Sequence, residues 1–153
     1  MLEILVPLVL LANGLAAGVL VGTLLGGWPL LESLPPDRYV HAHAFFSTRF
    51  DPFMPACLVI TVIGDVLIAV VTPDLGARVL FLGAAVAALG TVAISLVKNV
   101  PVNAWIQAQN PDDLPDDFAE RDPRRDWGAW NRARTALSTL ALLTNCVAVG
   151  LLL

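Results

Sequence analysis

Polar side chains in three parts of this sequence have the types and spacing to form one chemical site. His43 is a base that titrates near neutral pH. Asn99 and Asn103 lie one helical turn apart, and Asn131 and Arg134 also follow helical spacing. An imidazole can accept a proton, while amides and a guanidinium can donate hydrogen bonds to a developing oxyanion. Aromatic residues near these groups could contact a flat ligand; they are Tyr39, Phe46 and Trp130.

A structural role is the alternative for each of these residues. Tryptophan and arginine are common anchors at membrane interfaces, which would explain Trp130 and Arg134 without any ligand. Paired asparagines are harder to explain in this way, because an unpaired buried amide is costly. His41 and His43 would point in nearly opposite directions on a helix, so they do not form a joint metal site. We expect His43 to face inward and His41 to face water.

The elements that must position these residues are membrane helices. The chain has 153 residues, of which 57% are hydrophobic and 14% charged, and its mean hydropathy is +0.74. A soluble domain of this size could not bury so much apolar surface. Each apolar run is close to the roughly 20 residues that cross a bilayer as a helix. The runs are 4–27, 53–71, 77–97 and 135–153.

The expected fold is therefore an all-α integral membrane four-helix bundle that forms a single domain over residues 1–153. The bundle is expected to lie in the lipid bilayer, and the net charge of -4 argues against a nucleic-acid partner. The first run has no basic segment before it and carries Glu3, so it is interpreted as a retained helix instead of a signal peptide. Cys57 and Cys146 would lie at different depths, so a disulfide between them is not expected.

The long connections contain helical segments of their own. Pro36 and Asp37 are typical of a helix start, and the spacing of Tyr39, His43 and Phe46 predicts a short amphipathic helix in the first long loop. Residues 110–117 are acidic and proline-rich, which predicts a solvated loop. The fourth helix is expected to begin early, with Asp122 as its cap and Pro123 at its first position. Pro101 predicts a kink where the third helix leaves the membrane.

The distribution of basic residues predicts the orientation. Arg78 would be the one basic residue on its side of the membrane, and all the others fall in or beside the two long loops. The positive-inside rule then places the long loops in the cytoplasm and both termini outside, in a multi-pass protein of the cell membrane.

Small and polar residues inside the spans suggest how the helices meet. Gly14, Gly18, Gly22 and Gly26 repeat every four residues on the first helix. We expect this stripe to form a packing groove within the bundle, with a homodimer contact through Gly14, Gly18 and Gly22 as the alternative.

Three polar residues within the spans are expected to meet near the bilayer midplane; they are Asn13, Asp65 and Asn145. Hydrogen bonding between helices, with a neutral Asp65, is the main interpretation of this group. A proton-relay or ligand-binding role is the alternative.

The sequence resembles the anthrone-oxygenase-like family of small four-helix membrane proteins over essentially its whole length. The resemblance lies in four segments, which are Leu34–Tyr39 leading to His43, Met54–Pro55, Asn99–Asn103 and Trp130–Thr135. Some members of that family oxidise anthrones to anthraquinones in aromatic polyketide biosynthesis without an evident cofactor. The resemblance implies a hydrophobic aromatic substrate, no bound cofactor or metal, and O2 as a co-substrate.

The residues can be matched to that chemistry. His43 would be the base, and Arg134, Asn99 and Asn103 would stabilise the enolate oxyanion. The substrate would be bound by Tyr39, Phe46, Trp130 and Asn131. The same set would serve a non-redox cyclase or isomerase. A non-enzymatic small-molecule carrier or an assembly subunit of a membrane complex is the alternative from another class.

Overall fold

The computed structural model describes residues 1–152, which form α-helices with no strand among them. Helix α1 (Leu2–Gly22) passes through a π-helical turn (Thr23–Gly27) into α2 (Trp28–Ser33). The first long loop holds α3 (Pro36–Arg49), and α4 is Phe53–Val71. Helix α5 (Leu75–Ile94) passes through a second π-helical turn (Ser95–Asn99) into α6 (Val100–Gln107). The last helices are α7 (Phe118–Arg121) and α8 (Arg124–Gly150).

Four helical stretches are long and apolar enough to cross a bilayer, which confirms the predicted all-α membrane bundle. They are Leu2–Ser33, Phe53–Val71, Leu75–Gln107 and Phe118–Gly150. The first, third and fourth extend beyond the predicted runs, because their polar ends stay helical. The end of the fourth run, Leu153, lies outside the described residues. We call the end of the bundle that carries α3 the α3 end.

The four spans pack as a square. Helix α1 lies against α4 and α8, and α5 lies against the other sides of the same two helices. Across the centre, Asn145 Nδ2 of α8 donates to Asp65 Oδ2 of α4 over 3.2 Å. Asn13 of α1 is also fully buried, but its side chain makes no hydrogen bond within the described residues. Two of the three residues predicted to meet are therefore in direct contact.

The glycine stripe of α1 does not form the predicted packing groove. Gly18, Gly22 and Gly26 are exposed, and a Cβ built on any of them, or on Gly14, would meet no neighbouring atom within 4 Å. The buried face of α1 is formed instead by larger residues; they are Val9, Ala12, Asn13, Ala16, Ala17 and Leu20. Two other glycines allow close packing. A Cβ at Gly64 would lie 2.2 Å from Val9 Cγ2, and one at Gly128 would lie 2.4 Å from Trp28 Cζ2.

Each π-helical turn ends two residues before a proline. Thr23–Gly27 precedes Pro29, and Ser95–Asn99 precedes Pro101. Proline has no N–H and its ring collides with the preceding turn of an α-helix, so a wider turn relieves both problems. The predicted kink at Pro101 is thus a π-helical turn, and a second one occurs in the first span.

Helix α3 begins at Pro36 and packs against α6 and α2, as an amphipathic helix. Its buried residues are Tyr39, Val40 and His43, whereas His41 is exposed as expected. Helix α8 begins at Arg124, one residue later than predicted. Asp122 Oδ1 accepts the Arg124 N–H at 3.0 Å, and the proline-rich loop before it is irregular as predicted. Both cysteines are free.

Candidate functional site

A cavity of about 580 Å³ opens at the α3 end of the bundle. Both π-helical turns contribute to its wall, together with α3, the first turns of α4 and the first half of α8. Most of its lining is apolar, and its polar side chains include His43, Asn103, Ser95, Arg134 and the exposed Asp51. Phe46, Phe50 and Met54 form part of its apolar surface. The cavity is large enough for a flat polycyclic molecule.

His43, Asn103 and Trp127 form a hydrogen-bonded chain beside the cavity. The indole Nε1 of Trp127 donates to Asn103 Oδ1 at 2.8 Å. His43 Nε2 lies 3.0 Å from the same Oδ1 atom. An indole N–H only donates, so it fixes which end of the amide is the oxygen, and His43 Nε2 must therefore carry a hydrogen. The other ring nitrogen, Nδ1, then holds a free lone pair, and it is buried with no hydrogen-bond partner within residues 1–152.

The surroundings of His43 favour its neutral form. Burial lowers the pKa of His43 below its ordinary value, the hydrogen bond to Asn103 opposes this shift, and the charge of Arg134 lowers the pKa further. The ring packs edge-on against Trp127, with centroids 5.0 Å apart, and against Tyr39 at 5.3 Å. His43 is therefore a rigid, unprotonated imidazole at neutral pH.

Arg134 is buried without a carboxylate partner. Its Nε and Nη2 atoms donate to Asn131 Oδ1 at 3.0 and 2.9 Å, and Nη1 donates to Ser95 Oγ at 3.3 Å. Its guanidinium lies 5.5 Å from the Trp127 ring centroid. Ion pairs within residues 1–152 are Arg121–Asp117 and Arg124–Asp122, and neither includes Arg134. Arg134 thus has no ion-pair partner among the described residues, and burial of its charge is costly unless an anion or a partial negative charge comes to it.

An aromatic layer packs beside the cavity at the α3 end. Trp28 stacks on Trp127 with centroids 5.3 Å apart, and its ring packs closely against Gly128. Arg124 joins α8 to the start of α3, since its Nη1 donates to Leu34 O at 2.7 Å and its guanidinium lies 4.7 Å from the Tyr39 ring centroid. These contacts hold α3 against the bundle and keep His43 directed inward.

The structure brings only part of the predicted site to the cavity. His43, Phe46, Asn103 and Arg134 line it. Tyr39, Asn99 and Asn131 are fully buried but do not line the cavity. Asn99 Nδ2 donates to Trp127 O at 3.3 Å, and Asn131 supports Arg134 as described above. Tyr39 keeps its proton, since burial and then the charge of Asp122 raise its pKa.

Trp130 lies away from the cavity. It is 38% exposed, and its ring lies beneath the Lys98 ammonium at 5.0 Å. Trp127, one turn earlier on α8, lies in the cavity wall where Trp130 was expected. The sequence did not predict that Ser95, Gly22, Gly26 and Gly27 also line the cavity. The signal that could have located them is Pro29 and Pro101, because π-helical turns often occur at functional sites.

Comparisons with known proteins identify the family. A family model described as anthrone oxygenase matches residues 43–144, which is two thirds of the chain. The matched segment begins at His43 and includes Asn103, Trp127 and Arg134. No curated protein and no solved structure matches the chain.

Proposed function

The chain belongs to the anthrone oxygenase family, and we propose that it is a membrane enzyme that removes a proton from an enolisable aromatic ketone and lets the enolate react with O2. One observation supports this proposal above the others. A buried imidazole with a free Nδ1 lone pair and a buried arginine with no ion-pair partner within residues 1–152 line the same, mostly apolar cavity. The base and the charge that stabilises the resulting anion are both present before any substrate binds.

The proposed reaction begins with proton transfer. His43 Nδ1 takes one methylene proton of the anthrone, and the C–H electron pair becomes the enolate with its negative charge on the ketone oxygen. Arg134 binds that oxygen. The apolar cavity strengthens this interaction because it excludes water. A base of this kind contributes on the order of 10²–10⁴ in rate, and an oxyanion partner on the order of 10²–10³.

Oxygen then completes the reaction. The enolate gives one electron to O2, and the resulting radical and superoxide combine into a peroxide at the former methylene carbon. Loss of the second hydrogen from that carbon, with cleavage of the O–O bond, forms the new ketone. One O2 is consumed and one water is released for each anthraquinone, with one oxygen atom in the product and the other in the water. His43 returns its first proton to the departing oxygen.

The other site residues have supporting roles in this proposal. Asn103 is a positioning residue, because its Oδ1 accepts the hydrogens of His43 and Trp127 and so sets the tautomer. Asn131 and Ser95 orient Arg134. Phe46 and Trp127 offer aromatic surfaces to the substrate. Asn99 contributes structurally by linking the second π-helical turn to α8 through Trp127 O.

The test uses the purified protein in lipid nanodiscs with anthrone as the substrate. Without O2, the proposal expects exchange of the methylene hydrogens with deuterated solvent. With O2, it expects one O2 consumed for each anthraquinone formed. Exchange without oxidation would indicate a cyclase or isomerase that uses the same enolate. Absence of both would overturn the enzymatic proposal in favour of a binding or assembly subunit.

Variants assign the roles. His43→Ala should reduce exchange and turnover by roughly 10²–10⁴-fold while anthrone still binds. Arg134→Ala should weaken both binding and turnover, and Arg134→Lys should recover little, because lysine cannot reproduce the planar contacts to Asn131. His41→Ala is the matched control, since His41 is exposed on the same helix. Equal activity of the His43→Ala and His41→Ala variants would rule out His43 as the base.

A further inference from the structure

The mouth of the cavity is surrounded by apolar side chains that the protein itself does not cover. Each of these lining residues is more than a third exposed. They are Leu30, Phe46, Phe50, Val59, Leu96 and Val100. An opening toward water would leave these apolar side chains hydrated, which is unfavourable. A rim of this kind fits an opening toward lipid acyl chains.

The depth of the mouth agrees with that interpretation. Helix α4 has 19 residues, roughly 28 Å at the rise of an α-helix, so it spans the hydrocarbon layer from one end to the other. Val59 is six residues after Phe53, the first residue of α4, and therefore lies roughly 9 Å inside the hydrocarbon layer. The contact of Gly64 with Val9 aligns α4 with α1, which brings Gly22 level with the start of α4. The mouth thus extends from the acyl-chain region to the interface.

Two glycines keep the first-span side of this mouth open. Gly22 and Gly26 line the cavity and are exposed, and a Cβ on either would meet no atom within 4 Å. A larger side chain at these positions would therefore project into free space at the mouth without disturbing the packing. His43, which is only 1% exposed and whose Nδ1 has no hydrogen-bond partner within residues 1–152, lines the same cavity.

We propose that substrates enter this cavity sideways from the leaflet around the α3 end, and that Gly22 and Gly26 set the width of the entrance. This inference rests on the proposed function for the identity of the substrate class, which is a neutral, flat, membrane-dissolved aromatic ketone. Asp51 is the exposed acid of the lining, so the entrance disfavours anionic amphiphiles. Membrane-dissolved substrates would be used in preference to water-soluble ones of equal reactivity.

The kinetic test compares Gly22→Leu and Gly26→Leu with Gly18→Leu in nanodiscs. Gly18 belongs to the same stripe, is equally exposed and has no neighbour within 4 Å, but it does not line the cavity. The two entrance variants should reduce kcat/KM for anthrone by about tenfold or more, and Gly18→Leu should leave it unchanged. Equal kcat/KM in all three variants would overturn the lateral entrance. A sulfonated anthrone, which does not dissolve in hydrocarbon, should be a poor substrate; efficient turnover of it would also contradict the proposal.

A second measurement does not depend on turnover. Phosphatidylcholine with a photoreactive group near the end of one acyl chain is incorporated into the nanodiscs, and the labelled residues are mapped by mass spectrometry. Label should reach Leu58 and Ser95, which line the cavity and are 2% and 7% exposed. Gly22→Leu should reduce this labelling several-fold, and Gly18→Leu should not. Label at these sites in a protein that never oxidises anthrone would support the entrance while rejecting the proposed reaction. Absence of label there would reject the entrance.

Discussion

At the scale of single residues, the acceptor shared by His43 and Trp127 determines what the histidine can do. Because Asn103 Oδ1 takes the Nε2 hydrogen, the free lone pair is confined to Nδ1. The lowered pKa of His43 means that the neutral, proton-accepting form persists to a pH below the ordinary value of about 6.5. The lowered pKa of His43 also makes the folding stability depend on pH. The unfolded chain binds the proton more readily, so the contribution of neutral His43 is present above about pH 6.5 and is lost as the pH falls through the lowered pKa.

Replacement of Asn103 by aspartate tests this arrangement. A carboxylate beside Nε2 favours the imidazolium, so Asn103→Asp should raise the pKa of His43. The acid limb of the kcat/KM profile for anthrone should move to higher pH, by about one unit or more. Asn103→Leu, which removes the acceptor without adding charge, should lower kcat and leave the binding of anthrone largely intact. An Asn103→Asp profile that superimposes on that of the parent would show that His43 does not produce the limb.

The sequence predicted the types of residue that line the cavity better than their individual positions. The spacing of Tyr39 and His43 was enough to predict that His43 faces inward, because both lie on the face of α3 that is buried. Trp127 and Trp130 are three residues apart on one helix, and composition does not distinguish them. Which of the two faces the cavity depends on the rotation of α8 about its axis, and the contact of Trp28 with Gly128 sets that rotation. That contact joins residues 100 positions apart in the chain, so no local pattern contains it.

At the scale of helices, two isolated glycines, and not the glycine repeat of α1, lie where neighbouring side chains pack closely. The four-residue glycine repeat of α1 was expected to pack inside the bundle, yet the buried stripe carries Ala12, Ala16 and Ala17 instead. Small residues carry little hydrophobic signal, so periodicity alone cannot tell which of two small stripes faces inward. Gly64 and Gly128 are isolated in the sequence and gave no pattern, although they support the tightest contacts of the glycines in the described residues.

Gly128→Ala should destabilise the bundle. The added Cβ would lie 2.4 and 2.6 Å from Trp28 ring atoms, and Trp28 is held in place by its stack on Trp127. Overpacking of this kind costs about 1–3 kcal/mol. Thermal unfolding in detergent, followed by circular dichroism, should show a lower Tm than for the parent. Gly18→Ala is the control and should leave the Tm unchanged or slightly higher, because its Cβ meets nothing. Equal Tm values for both variants would contradict the packing described for Trp28.

Asp65→Asn should be tolerated, whereas Asp65→Leu should not. The first change keeps the shape of the side chain and an oxygen that can accept from Asn145 Nδ2. The second leaves the buried Asn145 amide without its partner, which costs about 1–3 kcal/mol. Thermal unfolding of the two variants would check the difference. A folded Asp65→Asn variant with little activity would favour a proton-relay role for Asp65 over the hydrogen-bonding role.

At the scale of the whole molecule, the bundle was the most predictable feature. The spans follow from hydropathy and from the need to satisfy backbone hydrogen bonds in lipid, so their number was correct. Their lengths were underestimated, because the first span continues to Ser33 and the third to Gln107 as helix beyond the apolar run. The cavity was not predictable in size, since it lies between helices whose separation depends on long-range packing.

The orientation in the membrane gives the prediction at this scale. All basic residues except Arg78 lie at the α3 end, in its loops or in the helix ends near it, so that end should face the cytoplasm. In a chain with Cys57→Ala and Cys146→Ala, a cysteine introduced by Asp116→Cys should resist a membrane-impermeant maleimide in intact cells and react after lysis. Pro73→Cys, in the exposed turn at the opposite end, should react in intact cells. The reverse pattern would invert the topology.

The two π-helical turns have a consequence for insertions and deletions in this chain. A residue added to or removed from an α-helix rotates everything beyond it by about 100°, and a π-helical turn holds such an added residue in place. Deletion of one residue within Thr23–Gly27 would remove that added residue, so Trp28 would keep its place on Gly128 while the wall that this turn contributes to the cavity would change shape. Pro29 would then lose the wider turn before it. The gain or loss of a single residue at either π-helical turn can therefore reshape the cavity while the helices around it keep their phase.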